Sequence, residues 1–237
     1  MRISQILFSQ GFGSRRECHV MLRNERVSVA GQMVDDPDAD FEPEGLHINV
    51  SGVPWVCHSQ AVVMLNKPAG YECSRKPRHH PSVLSLLPMP LRTRGLQPIG
   101  RLDEDTTGIL LFTDQGALIH RLTHPKHHVP KVYDVTTKHP VDDAQVAALL
   151  AGVVLLDDPT PAIAATCERL DETLLRMTLT DGRYHQVKRM LAAVGNRVEG
   201  LHRSAFGDLR VPAGLAPGQW CWLADDEVDR LAGRARP

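Results

Sequence analysis

The stretch Gly100-Arg101-Leu102-Asp103-Glu104-Asp105-Thr106-Thr107-Gly108 is charged, bracketed by glycines, and runs straight into the apolar tetrad Ile109-Leu110-Leu111-Phe112. A short run with no polar member fits a strand buried on both faces. The loop ahead of such a strand is held at the lip of a sheet, where rigid scaffolds carry reactive groups. Asp103 is the carboxylate to watch. From spacing alone, a surface turn with an ordinary solvated carboxylate fits the same residues.

Overall charge gives no help with a partner. Lys and Arg number 27 against 28 Asp and Glu in 237 residues, so a polyanion would have to be met by local clusters. Hydrophobic residues at 42% supply a real core and exclude a disordered chain. The length allows one large domain or two smaller ones. The 5 cysteines, Cys18, Cys57, Cys73, Cys167 and Cys221, are odd in number and include no CxxC pair. That argues against a disulfide framework or a cysteine zinc site. With no basic-then-apolar leader and no apolar run of about 20 residues, the expected location is the cytoplasm, away from membranes.

Residues 1–58 read as a domain of their own. Ile3, Ile6 and Leu7 share a helical face, Gly11 and Gly13 break it, and Ser14 with Glu17 forms a capping box that opens a second helix. Val20, Met21 and Leu22 are its expected apolar positions. Arg26 to Val34 alternates around a glycine turn, as a hairpin does. Asp35 to Glu44 is an acidic loop, and residues 51–60, with Gly52 and Pro54, read as a linker. Arg15, Arg16 and Arg23 concentrate positive charge on the second helix, a candidate phosphate-contacting face, although surface helices commonly carry arginines.

The remainder, residues 59–237, alternates short strands with helices and many turns, which predicts an α+β domain on a largely antiparallel sheet. Strands are expected at Val62–Leu65, Ile109–Phe112, Lys131–Thr136, Leu174–Leu179, Arg197–Phe206 and Trp220–Leu223. Helices are expected at Ala117–Leu122, Val141–Leu150, the segment after Gly182, and Glu227–Leu231. Ser74 to Pro81 is a polar, mobile, basic loop. His120, His124, His127 and His128 tempt a metal reading, but no cysteine or carboxylate is spaced beside them and Pro125 and Pro130 make the segment irregular. A second basic cluster runs from Arg183 to Arg210 through Lys188, Arg189, Arg197 and Arg203.

Two resemblances tie these pieces together. The first quarter, with its Ser-Arg-Arg helix and Arg-Val-x-Val-x-Gly-x-x-Val hairpin, resembles the S4-type RNA-binding domain. Gly-Arg-Leu-Asp-x-x-Thr-x-Gly at 100–108, Lys131-Val132-Tyr133, and Gly182-Arg183-Tyr184-His185-Gln186-Val187-Lys188-Arg189-Met190 resemble, in that order, the RsuA/RluB/RluE/RluF branch of the pseudouridine synthases. The resemblance implies a catalytic domain with a largely antiparallel mixed sheet flanked by helices and loops. It implies isomerisation of a uridine flipped out of RNA. Asp103 would be the essential aspartate, acting as nucleophile or base. Lys188 would be its paired cation, countering the desolvation that disfavours an ionised carboxylate. Tyr133 would be a stacking face and possible proton acceptor. Arg101 would contact RNA beside the flipped nucleotide, and Arg183 and Arg189 belong to the second basic face. No metal or organic cofactor is implied.

Tyr71-Glu72-Cys73-Ser74, His80-Pro81-Ser82-Val83-Leu84 and Lys126-His127-His128 resemble segments of the branch that acts on the small subunit. The expected target is a uridine of 16S rRNA, uridine 516, in free RNA or a small-subunit assembly intermediate, met by a monomer. Gln115 and the basic 75–79 loop depart from that pattern. Two alternatives stay open: a 23S rRNA pseudouridine synthase of the same family, and a non-catalytic RNA-binding ribosome assembly factor.

Overall fold

Gly11 and Ser14 set the first two helices of the computed structural model, which describes residues 1–234. Helix α1 (Ile3–Gln10) stops at Gly11, whose left-handed φ of 87° brings its N–H back to the carbonyls of Leu7 and Phe8. Helix α2 (Arg15–Arg23) opens on the expected capping box: Ser14 Oγ accepts from the Glu17 N–H, and the Glu17 carboxylate accepts from the Ser14 N–H. Ile3, Ile6 and Leu7 are fully buried. Helix α2 turns Cys18 and Leu22 inward and leaves Val20 48% exposed, so its apolar stripe is narrower than the sequence suggests.

Strands β1 (Val27–Val29) and β2 (Gln32–Met33) form the expected hairpin across Ala30 and Gly31, both at positive φ. A second hairpin, β3 (His47–Val50) and β4 (Val53–Val56), turns at Ser51 and Gly52. Residues 51–60 are therefore not a plain linker. Pro54 sits in β4, the edge of the sheet β2-β1-β3-β4, where a missing N–H removes no ladder bond.

Residues 1–61 make one compact unit together with residues 84–97, which contain helix α3 (Met89–Thr93), and residues 113–115. Arg94 binds these segments together. Its guanidinium donates to the Gln10 side chain at 3.1 Å, to the His58 carbonyl at 2.8 Å and to Asp114 at 2.6 Å, with the side chain 5% exposed.

The other unit is built on one mixed sheet. In chain order its strands are β5 (Val62–Lys67), the short β6 (Gln97–Pro98) and β7 (Thr107–Thr113), then helix α4 (Gly116–Thr123) and β8 (Lys131–Thr137). Helix α5 (Asp143–Ala151) leads to a separate hairpin, β9 (Val153–Leu155) and β10 (Asp158–Ala162). Strands β11 (Thr166–Asp171) and β12 (Leu174–Leu179), helix α6 (Gln186–Ala193), strands β13 (Val198–Phe206), β14 (Leu209–Arg210) and β15 (Trp220–Trp222), and helix α7 (Asp225–Leu231) complete it. The strand order is β11-β12-β8-β13-β7-β5-β15, antiparallel at most pairings and parallel between β13 and β7. This is the expected α+β class. Ile109, Leu110, Leu111 and Phe112 are fully buried in β7, as a strand covered on both faces must be.

Gly108, the second residue of that strand, fixes its approach to β13. It pairs with Arg203, and a Cβ there would lie 2.3 Å from the Arg203 carbonyl oxygen, at a φ of 101° that L side chains avoid. We expect Gly108→Ala to cost roughly 2–3 kcal/mol of stability through strain and strand displacement. Urea titration with an unchanged m-value checks this, and an unchanged midpoint would refute the tight packing.

Candidate active site

The loop before β7 is fastened from below by a cation that the sequence does not advertise. Lys67, at the end of β5, is fully buried and donates to the carbonyls of Pro68, Glu104 and Thr106 at 3.1, 3.2 and 2.8 Å. Burial pulls its ammonium below the usual lysine range, while Cys73 and the loop carboxylates push the other way. The Gly70 N–H bonds to the Glu104 carbonyl at 2.7 Å, and the Leu102 N–H to Cys73 Sγ at 3.4 Å. Leu102 is buried and the Thr106 N–H closes on the Asp103 carbonyl. Asp103 thus leaves the sheet on backbone held at both ends.

A second fastening sets the start of α6. Asp181 accepts from Gln186 Nε2 at 2.6 Å and from Arg183 Nε at 3.1 Å, while Gln186 Oε1 accepts from the Arg183 N–H. His185, at the helix entrance, holds a left-handed φ of 47° and stacks on Tyr184 with ring centroids 3.8 Å apart. A non-glycine residue keeps that conformation only where its surroundings hold it, a pattern common at functional sites. Lys188 follows within the first turn.

The two constructions meet at Asp103. Lys188 Nζ lies 3.2 Å from Asp103 Oδ2, and His185 Nε2 lies 3.3 Å from Asp103 Oδ1. Lys188 also donates to both oxygens of Asp105, at 2.7 and 2.8 Å. Burial works against the Lys188 charge, but the Asp105 hydrogen bond and the Asp103 charge outweigh it, and its ammonium ends above the usual value. Burial likewise opposes the Asp105 charge, and Lys188 overcomes it, so Asp105 ends below the ordinary aspartate value.

Around Asp103 lies a cavity of ≈ 460 Å³, lined among others by Arg101, Tyr133, Tyr184, His185, Lys188 and Arg203. That volume is in the range of small-molecule clefts. A carboxylate with a basic side chain close to each oxygen, beside aromatic faces, can attack a sugar carbon or accept a proton from a bound ring.

Of the residues singled out in the sequence, Asp103, Tyr133, Lys188, Arg101 and Arg183 all line this cavity. Tyr133 lies on β8 opposite Arg203 of β13 and Met177 of β12. Arg101 is exposed. Arg183 directs its guanidinium at protein: Asp158 at 2.9 Å, the Thr160 carbonyl at 2.6 Å and the Pro161 carbonyl at 3.0 Å. Arg189 pairs with Asp157 and donates to the Tyr184 carbonyl. Arg15, Arg16 and Arg23 are exposed on α2 in the other unit.

The sequence motifs assign no role to Lys67, Asp105 or His185, and Arg203 reads there as a surface cation. Arg203 is 2% exposed and belongs to the cavity wall. His185 and Asp105 sit inside the two motifs and could have been weighed by their spacing alone. Lys67 had no such signal. The loop expected to be mobile at 74–81 is gathered by Glu72, which accepts from the backbone N–H groups of Arg78, His79 and His80. Those donors hold the Glu72 carboxyl down to about 2.

The chain as a whole is similar to known proteins. The RNA pseudouridylate synthase family matches residues 61–193. Ribosomal small subunit pseudouridine synthase A of Salmonella typhimurium is 40% identical over 229 residues, 96% of this chain and 98% of its own. Its namesake in Haemophilus influenzae is 35% identical over 98% of this chain and 99% of its own. A solved structure described as a pseudouridylate synthase superposes with a TM-score of 0.70 at 34% identity, covering 98% of this chain and 99% of that one. The chain belongs to the RNA pseudouridylate synthase family, on the RsuA-type branch that its motifs pointed to.

Proposed function

We propose that this protein isomerises a uridine of 16S rRNA, expected at uridine 516, to pseudouridine. The observation that carries the chemistry is Asp103 held at 3.2 and 3.3 Å by Lys188 and His185 at the wall of a cavity that also holds Tyr133. The uridine is flipped into that cavity, Asp103 reacts at its sugar or base, Lys188 supplies the paired charge, and Tyr133 offers a stacking face. The 16S target is supported by near full-length similarity to proteins named for the small ribosomal subunit.

On this reading residues 1–58 are an S4-like RNA-binding domain and residues 59–237 the catalytic domain. The protein acts as a cytoplasmic monomer on rRNA or a small-subunit assembly intermediate. Pseudouridine maps of 16S and 23S rRNA, with and without the gene, test it: loss of one 16S pseudouridine is expected. Loss of a 23S site would move the target, and an unchanged map would favour an assembly role without catalysis.

RNA binding should weaken with salt, since exposed arginines displace counterions from phosphates. Replacing one of Arg15, Arg16 or Arg23 by Ala is expected to lower the log–log salt slope by about one. Filter binding at several salt concentrations measures it, and a salt-independent affinity would count against the arginine face.

A further inference from the structure

The inner wall of the cavity carries two cations that the reaction so far does not use. Arg203 Cζ lies 5.3 Å from the centroid of the Phe206 ring, and Lys131 Nζ lies 5.7 Å from the same centroid. All three residues line the cavity around Asp103. Arg203 donates through Nε to the Ile109 carbonyl at 2.9 Å, while its buried Nη2 has no hydrogen-bonding partner among the described residues. Lys131 donates to the carbonyls of Val129 and Asp181, at 2.9 and 3.5 Å. Thr106 Oγ1, also buried on this lining, is likewise without a partner among the described residues.

This is an expensive arrangement for a purely structural role. Two like charges share one ring, neither has a carboxylate within ion-pair distance among the described residues (Asp181 acts on Lys131 from further off), and a buried guanidinium nitrogen goes unmatched. Burial, and then the neighbouring Arg203, push the Lys131 ammonium down to about 8. An anion-rich ligand edge would relieve all of these costs together. Arg203 stands directly across the sheet from Tyr133, so a ring stacked on that tyrosine presents its edge toward this wall. With Arg203 only 2% exposed, the flat edge of a base fits the position better than a backbone phosphate does.

We infer that Arg203 and Lys131 bind the carbonyl oxygens of the target pyrimidine and stabilise it as an anion while it is detached from its ribose. The inference rests on the uridine-isomerising reading above. In the step concerned the N1–C1′ bond breaks, its electron pair stays on the ring, spread over N1, O2 and O4, and the electron-deficient C1′ is left as an oxocarbenium ion beside the Asp103 carboxylate or bonded to it until C5 takes its place. After the ring turns, C5 forms the new bond to C1′, the C5 hydrogen leaves as a proton, and N1 takes one up. Nothing is oxidised or reduced, and charge on the ring oxygens is largest between the two bonds, where a fixed cation acts most strongly.

Single-turnover assays on the target RNA, containing uridine or 5-fluorouridine at the target, test this. Fluorine withdraws electrons and stabilises the ring anion, so it substitutes in part for a lost cation. Bond breaking is read as disappearance of the original nucleotide. Arg203→Met is expected to slow uridine consumption about 100-fold while RNA affinity stays within about 3-fold. The penalty should shrink to about 10-fold on 5-fluorouridine. Lys131→Met, against the same ring, should lose about 10-fold and show the same relief, so the outcome does not depend on Arg203→Met folding. Equal penalties on both substrates, or a loss confined to RNA affinity, would overturn this inference alone. A wild-type protein that leaves uridine untouched would overturn it together with the proposed function.

Discussion

Asp103→Asn is expected to lower the single-turnover rate by about 10⁴-fold or more while leaving RNA affinity within about 3-fold. The amide keeps the shape of the carboxylate and one of its oxygens, so the Lys188 and His185 contacts lose charge but not space. It cannot serve as an anionic nucleophile or as a base, and either role at this position requires one or the other. The loop itself should stand, because its fastenings are the bonds from Lys67 to the Glu104 and Thr106 carbonyls and the Gly70–Glu104 bond, none of which uses the Asp103 side chain. Retained turnover in the variant would place the chemistry on another group of the cavity.

Lys188→Met should cost about 10²- to 10³-fold in rate, a loss comparable to removing one aimed charge from a catalytic site. The ammonium serves two carboxylates, Asp105 through hydrogen bonds at 2.7 and 2.8 Å and Asp103 at 3.2 Å, so its removal leaves both without it. Stability should change little, since the Lys188 side chain is 27% exposed and its partners are reached by water.

The pH dependence follows from the directions of the two shifts. Lys188 is raised from 10.5, so its contribution is complete below that value and is lost as pH rises through the folded pKa. Asp105 is lowered from 3.8, so its contribution is present above that value and is lost as pH falls through its folded pKa. Between these limits the pair keeps its charges. Lys188→Arg should therefore leave the shape of the rate profile between about pH 6 and 9 unchanged, and a wild-type inflection there that disappears in the variant would show that Lys188 itself titrates during turnover.

Much of the fold was legible because it follows local rules. The Ser14–Glu17 capping box, the Gly11 stop and the Ala30-Gly31 turn each depend on residues a few positions apart, and all three form as the pattern suggested. The burial of Ile109 to Phe112 follows equally from a run with no polar side. What misled was the 51–60 segment, where Gly52 and Pro54 imitate a linker. Only the neighbouring β3 shows that Pro54 occupies a sheet edge, where proline is tolerated.

The site divides in the same way. The sequence, through its likeness to the pseudouridine synthase motifs, pointed to Asp103, Tyr133 and Lys188 as one set, whereas residue type and spacing alone left each an ordinary surface or core position. Only the tertiary structure decided what surrounds them. Lys67 lies 36 residues before Asp103 in the chain, yet it clamps the loop that carries Asp103 by donating from its buried ammonium to three carbonyl oxygens. Arg203 reads as one more surface cation until β13 is laid beside β7 and β8, which buries it opposite Gly108 and Tyr133. Burial and partnership are properties of strands brought together from distant parts of the chain. A charge becomes an anchor or a ligand-facing wall only when that packing has removed the water around it.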